Sequence, residues 1–143
     1  MKYHFKIRRE GKGFWAQGIE LEGILAQGET KEELERNMHE SLNLFLDEPT
    51  NSKIIFPLPR ANLKGTSIVS VEVGPQIAFA FYLRRIRLKR GLTQKDVAKL
   101  MGFKNLYSYQ RLEKSKTANP ELSTIVQIKR LFPELDLEDI LAA

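Results

Sequence analysis

The chain has 143 residues, 42% of them hydrophobic, a formal net charge of +5 and no cysteine. That length suits one domain or two small ones, the apolar share allows a packed core, and the lack of thiols excludes disulfide frameworks and thiolate metal sites. The first ten residues mix charges without an apolar core segment, and no apolar run approaches bilayer length, so a cytoplasmic protein with no signal peptide and no membrane span is expected.

Charge divides the chain. Residues 1–73 hold ten Lys/Arg against eleven Asp/Glu, whereas residues 74–143 hold thirteen against seven. Such asymmetry suggests two jobs, with the basic half directed at nucleic acid. Two domains are expected, 1–73 and 74–143, divided at Gly74-Pro75 where the apolar period changes from strand to helix.

Residues 2–9 alternate Tyr3, Phe5 and Ile7 with polar neighbours, the period of a strand with one buried face. Glu10-Gly11-Lys12-Gly13 turns the chain into a second strand over 14–19, and a third follows over 24–27, closed by Gly28. Thr30 and Glu33 fit a capping box for a helix whose stripe is Leu34, Met38, Leu42 and Phe45, and Pro49 stops it. Residues 47–66 form a polar linker with three prolines and a small apolar patch at Ile54-Ile55-Phe56. A fourth strand is expected over 67–73, with Ile68 or Val69 and its alternates facing the core. The fold class is therefore α+β for the first half, a small antiparallel sheet covered by one helix. Its core is small, so one sheet face or edge is expected to need a partner.

The second half reads as five helices. The first starts at Pro75 and runs to about Arg90, with Ile77, Phe81, Leu83 and Ile86 apolar and Arg84, Arg85, Arg87, Lys89 and Arg90 on its remaining surface. Residues 91–113, GLTQKDVAKLMGFKNLYSYQRLE, read as two short helices around a tight turn, the layout of a helix-turn-helix. Thr93 caps the first, Val97, Leu100 and Met101 follow at helical spacing, and Gly102 ends it in the left-handed region. The second runs from Lys104 or Asn105 to about Leu112, burying Leu106, Tyr109 and Leu112. That leaves Tyr107, Ser108, Gln110 and Arg111 outward, residue types able to bond base edges or phosphates. A packed helical hairpin would share this spacing. Charge favours DNA: between Arg84 and Lys116 lie eleven Lys/Arg, opposed by Asp96 and Glu113 alone. A fourth helix opens at Asn119-Pro120 with Leu122, Ile125, Ile128 and Leu131 on one face. Asp136 caps the last, which carries Leu137, Ile140 and Leu141. Phe132 and that terminal cluster form either a seam between protomers or an internal core.

No catalytic constellation is expected. Glu33 and Glu40 share a helix face but read as solvated carboxylates, His4 and His39 lack metal-ligand companions, and no phosphate loop or nucleophile elbow occurs. Neither a cofactor nor a metal is implied, and the chain is expected not to be an enzyme.

Residues 83–131 resemble the Xre-type, phage-repressor-like helix-turn-helix family through L-R-R-I-R at 83–87, G-L-T-Q at 91–94, V-A at 97–98, M-G-F at 101–103, R-L-E at 111–113 and N-P-E-L-S-T-I at 119–125. The resemblance implies that Gln94 touches a phosphate and that Tyr107, Gln110 and Arg111 face bases. With Lys104, Asn105, Ser108, Lys114 and Lys116, these are the candidate DNA contacts. The first half resembles the HicB antitoxin family through E-G-K-G-F-W-A at 10–16, E-L-E-G-I-L-A-Q-G-E-T at 20–30 and the K-E-E-L opening of the helix. That implies a reduced RNase H-like fold without its catalytic set, which binds and occludes a small basic toxin of the mRNA-cleaving HicA type. It also implies a C-terminal domain that binds its own operator as a homodimer or higher homo-oligomer. Candidate toxin contacts are Phe14, Trp15, Glu20, Glu22 and Glu29. A stand-alone regulator whose first half senses a small ligand or only dimerises is the alternative. An RNase H-like nuclease is a third reading, set aside for want of an acidic quartet.

Overall fold

In the computed structural model, which describes residues 1–142, the alternating residues at the start of the chain form an inner strand, β1 (Lys2–Glu10). β2 (Gly13–Gly18) and β3 (Leu25–Gly28) follow as antiparallel neighbours, and β4 (Ile68–Glu72) returns to the other side of β1. The order is β3-β2-β1-β4, with Phe5 opposite Gly18 on one flank and Val69 on the other. Tyr3, Phe5, Ala16, Ala26 and Val71 are buried on one face, as period-two alternation requires. Of the two frames open for β4, the one through Val69, Val71 and Val73 faces the core.

The helix α1 (Lys31–Leu46) covers that face with Leu34, Met38, Leu42 and Leu46. Each such side chain contributes about 1.5–3 kcal/mol when fully buried. Half of the expected capping box forms: Thr30 Oγ1 accepts from the Glu33 N–H, but the Glu33 carboxylate accepts from the N–H of Glu29, one residue before the cap, instead of from that of Thr30. Phe45 is half-buried, its ring 5.1 Å from that of Phe56, and Leu46 takes the buried place at the end of the stripe. Gly28 lets the helix approach: a Cβ there would lie 2.5 Å from the Leu34 nitrogen. These elements, Met1–Leu46 with Phe56–Gly74, make one unit of the chain.

The second unit comprises Asp47–Ile55 and Pro75–Ala142. Its helices are α2 (Pro75–Lys89), α3 (Gln94–Leu100), α4 (Leu106–Gln110), α5 (Leu122–Leu131) and α6 (Leu137–Leu141). The last residue of the expected 74–143 domain, Ala143, lies outside the described residues. α2 is the central element. Residues 78–84, 86 and 87 are all buried, so it has no wide polar face. Val97, Ala98, Met101, Tyr109, Leu112, Ile128, Phe132, Leu135 and Ile140 pack into the same core.

Several apolar positions do not go inside. Leu100 and Leu106, expected to be buried, are exposed, because the short helices turn only Val97, Ala98, Met101 and Tyr109 inward. Leu122 and Leu141 are exposed too, at the outer ends of α5 and α6. Phe132 and Ile140 are internal, which settles that part of the terminal cluster as core. α5 starts after Glu121, whose side chain makes no capping bond, rather than at Asn119-Pro120. Among the described residues no helix is long and apolar enough to cross a membrane.

Gly102 ends α3 at φ +72°, with nothing within 4 Å of where a Cβ would sit. A side chain there meets no neighbour, so its cost is backbone strain alone. Gly102→Val is expected to destabilise the second unit by about 1–2 kcal/mol in denaturant titration. An unchanged midpoint would refute the strained-turn assignment.

Candidate nucleic-acid interface

The two short helices are held at both starts by side chains. Thr93 and Asp96 form a reciprocal box: the Asp96 N–H donates to Thr93 Oγ1 at 3.0 Å and the Thr93 N–H to the Asp96 carboxylate at 2.8 Å. The Thr93 N–H, then its hydroxyl, hold the Asp96 carboxyl below its ordinary range. At α4 the Asn105 side-chain oxygen Oδ1 caps the helix, accepting from the Ser108 N–H and hydroxyl, both at 2.9 Å. Asn105 and Ser108, both expected to contact DNA, thus also set the start of that helix.

Beneath them lies a buried ion pair. Arg87 Nε and Nη2 donate to the two Glu113 carboxylate oxygens at 2.6 and 3.0 Å, and Nη1 donates to the Leu92 carbonyl at 3.1 Å. Both side chains are at most 7% exposed. Burial pulls the Arg87 pKa down, but the hydrogen bonds and charge of Glu113 outweigh it and the net shift is upward. Tyr109 packs fully buried beside the pair, its phenol pushed up first by burial and then by the Glu113 charge.

This interior corrects the reading of the basic run. Arg84 and Arg87, expected on the surface of their helix, are buried, and Arg90 joins Glu134 through two bonds of 2.7 and 2.8 Å. Lys95, Lys99, Lys104, Arg111, Lys114 and Lys116 are the exposed cations of the two short helices and the loop after them.

The pair supports a second layer. Gln94, the first residue of α3, receives a hydrogen bond from the Gln110 side chain on its own amide oxygen at 3.1 Å, and its amide nitrogen faces Glu113 Oε1 at 3.5 Å. Gln110 is thereby aimed from α4 by a residue of α3. Tyr107 stands out from α4 at 62% exposure, with the Arg111 guanidinium 5.9 Å from its ring centre. Lys114 and Lys116 are exposed on the following loop, which the Thr117 hydroxyl closes by donating to the Arg111 carbonyl. The candidate contacts therefore cluster on α4, its flanks and the start of α3. What the sequence missed is the Arg87–Glu113 pair, and the isolated Glu113 within so basic a stretch was its one available signal.

In the first unit the candidate partner residues separate. Phe14, Trp15 and Glu29 line a cleft of about 320 Å³ with Glu10, Gln27 and Glu33 at the end of the β2–β3 hairpin. Glu22 is exposed in the turn before β3. Glu20 is internal: its carboxylate accepts from the His4 N–H and Nδ1, both at 2.8 Å, and from the Arg60 N–H at 3.0 Å, with the side chain 2% exposed. Burial alone would raise its pKa, yet these hydrogen bonds hold it below the usual carboxylate range. A separate groove of about 580 Å³ runs between α1 and β4, with Ile7, Met38, Val69 and Val71 inside and Arg9, Lys31 and His39 among its polar residues.

Residues 83–140 match the helix-turn-helix family model, from within α2 to within α6 and across α3, α4 and α5. No curated protein matches the chain. The second unit is a helix-turn-helix module of the kind found in DNA-binding transcription regulators.

Two outcomes follow from this geometry. Glu113→Gln or Arg87→Met leaves one buried partner uncompensated and is expected to cost about 3–5 kcal/mol, while the double replacement Arg87→Met/Glu113→Leu recovers much of the loss. Denaturant midpoints for all three would decide it, and an additive double variant would contradict a coupled pair. Glu20 has a lowered folded pKa, so its contribution is present above the unfolded value of about 4.3 and is lost as pH falls through the folded one. The stability gap between wild type and Glu20→Gln should therefore close on acidification. A gap independent of pH would mean that the charge of Glu20 contributes nothing.

Proposed function

We propose that the chain is an antitoxin and autorepressor, acting in the cytoplasm by binding alone and without catalysis. The second unit binds the operator of its own operon. The first unit binds a small basic toxin of the mRNA-cleaving HicA type and masks its active surface. The helix-turn-helix carries the DNA part of this reading. For the partner part, the supporting observation is the cleft at the β2–β3 end, which sets Phe14 and Trp15 beside Glu10, Glu29 and Glu33. A basic side chain of a partner fits such a cleft because its charge meets the carboxylates there, while the rings of Trp15 and Phe14 already carry the chain's own Arg8 and Arg9, 5.2 and 5.8 Å from the ring centres. Operators are read by symmetric pairs of such modules, so the chain acts as a homodimer or a higher homo-oligomer.

The groove beside α1 favours a second reading. Its volume falls within the range of small-molecule sites, and apolar walls with a few charged groups suit an amphipathic ligand. On that reading the chain is a stand-alone regulator whose first unit senses a metabolite.

Affinity capture of the tagged chain from its native host, read by mass spectrometry, separates the two. A stoichiometric small basic protein, lost on replacing Glu29 and Glu33 together by glutamine, supports the antitoxin reading. Operator binding with no such protein supports the sensor. On DNA, Arg111→Ala is expected to cost roughly 1–3 kcal/mol on the specific site and much less on unrelated duplex. Equal losses on both would make Arg111 a phosphate contact instead of a base reader.

A further inference from the structure

Residues 47–55 have no regular secondary structure, yet they belong to the second unit, and none of the interactions above explains their position. Two of their polar groups meet residues of the candidate interface. The Asp47 carboxylate accepts a short hydrogen bond from the hydroxyl of Ser115, which lies between Lys114 and Lys116. The Thr50 carbonyl accepts from the Gln94 side-chain amide at 3.0 Å. Arg84 lies buried in the same region. Burial lowers its pKa, and Glu113, Glu48 and Asp47 act in the opposite direction.

The hydrogen-bond inventory of Gln94 makes these contacts informative. A glutamine amide has two donor hydrogens and one acceptor oxygen. The oxygen is taken by Gln110, and the donors point at the Thr50 carbonyl and, at longer range, at Glu113. No side-chain donor remains for a phosphate. A phosphate oxygen that is to bond the Gln94 side-chain amide has to take the place now held by the Thr50 carbonyl. At Ser115 the competition is between like charges, because the Asp47 carboxylate already holds the hydroxyl of a loop whose two lysines attract the DNA backbone. The segment thus presents a carbonyl and a carboxylate, with Glu48 adjacent, to the groups that phosphates would use.

We propose that Asp47–Ile55 is a displaceable acidic strap that stands in for DNA phosphates, and that the second unit must release it to bind a duplex. This rests on the DNA-binding reading of that unit and adds its regulation. Two hydrogen bonds of ordinary net strength leave the open form populated at roughly three parts in a hundred, and apparent affinity falls by that fraction. The strap therefore weakens DNA binding by roughly thirtyfold.

The test uses the full chain and a fluorescent duplex of random sequence at low salt. The chain has no cysteine, so Asp47→Cys/Ser115→Cys can lock the strap with a single disulfide. The reduced form is expected to bind, and the oxidised form to bind at least about tenfold more weakly. Independently, Asp47→Asn/Glu48→Gln should bind more tightly than wild type, and by more than Glu121→Gln/Glu138→Gln, which removes two exposed charges elsewhere in the same unit. Equal affinity of the oxidised and reduced forms overturns the proposal. So does a gain no larger than that of the control pair. If wild type and every reduced variant leave the duplex unbound, the DNA-binding reading itself is at fault.

Discussion

The second unit depends on one buried carboxylate. Glu113 lies just beyond α4, and its two oxygens are gripped by Arg87 of α2, whose third nitrogen also holds the Leu92 carbonyl in the turn before α3. One guanidinium therefore ties together the central helix, the entrance to α3 and the exit of α4. Desolvating two charges is costly, so an apolar replacement of similar shape could match the pair for stability. A greasy contact slides, whereas a forked guanidinium meets a carboxylate in one orientation. In a module whose task is to present a five-residue helix, that directional constraint matters more than the net energy.

The constraint passes outward through amides. Glu113 faces the nitrogen of Gln94, and Gln94 receives Gln110 on its oxygen. Gln110 is half-exposed on α4, so a buried charge pair determines the direction of a surface side chain in two steps. Pre-orientation of this kind lowers the entropy cost of any contact that Gln110 makes with a ligand. It also explains why counting cations overstated the electropositive surface. Arg84 and Arg87 are interior, and Arg90 is neutralised by Glu134, so phosphate attraction falls to the lysines and to Arg111. A basic stretch thus served two physical ends, internal architecture and external charge, that composition alone cannot separate.

Local rules were readable in the sequence where one residue decides the outcome. The Thr93 cap, the left-handed Gly102, the Thr30 cap and the alternation of β1 follow from short-range chemistry, and each is present. The fold class follows from their order. Legibility failed where an apolar residue had a choice of side. Leu100 and Leu106 fit the helical stripe, but helices of seven and five residues bury only what points at α2, and both leucines flank the turn. It failed again for charge. The partners in Arg87–Glu113 are separated by 26 residues and those in His4–Glu20 by 16, distances at which no spacing rule operates. Glu20 shows the consequence. In the sequence it is one acid among several in a turn, whereas in the fold it accepts three hydrogen bonds and is structural.

The same distinction bears on which polar groups of the candidate site remain free for a ligand. The Asn105 side-chain oxygen is engaged by Ser108 at the start of α4, and Gln94 has both side-chain donors directed at other residues of its own unit. Tyr107, Arg111, Lys104, Lys114 and Lys116 are instead exposed on the surface. Exposed groups meet an incoming ligand without first breaking an internal bond. Groups that are internally bonded must exchange one partner for another, and a ligand that cannot replace the lost bond leaves a desolvated amide unpaired. In this module the division follows chemistry closely, with cations and an aromatic ring at the free positions and amides at the bonded ones.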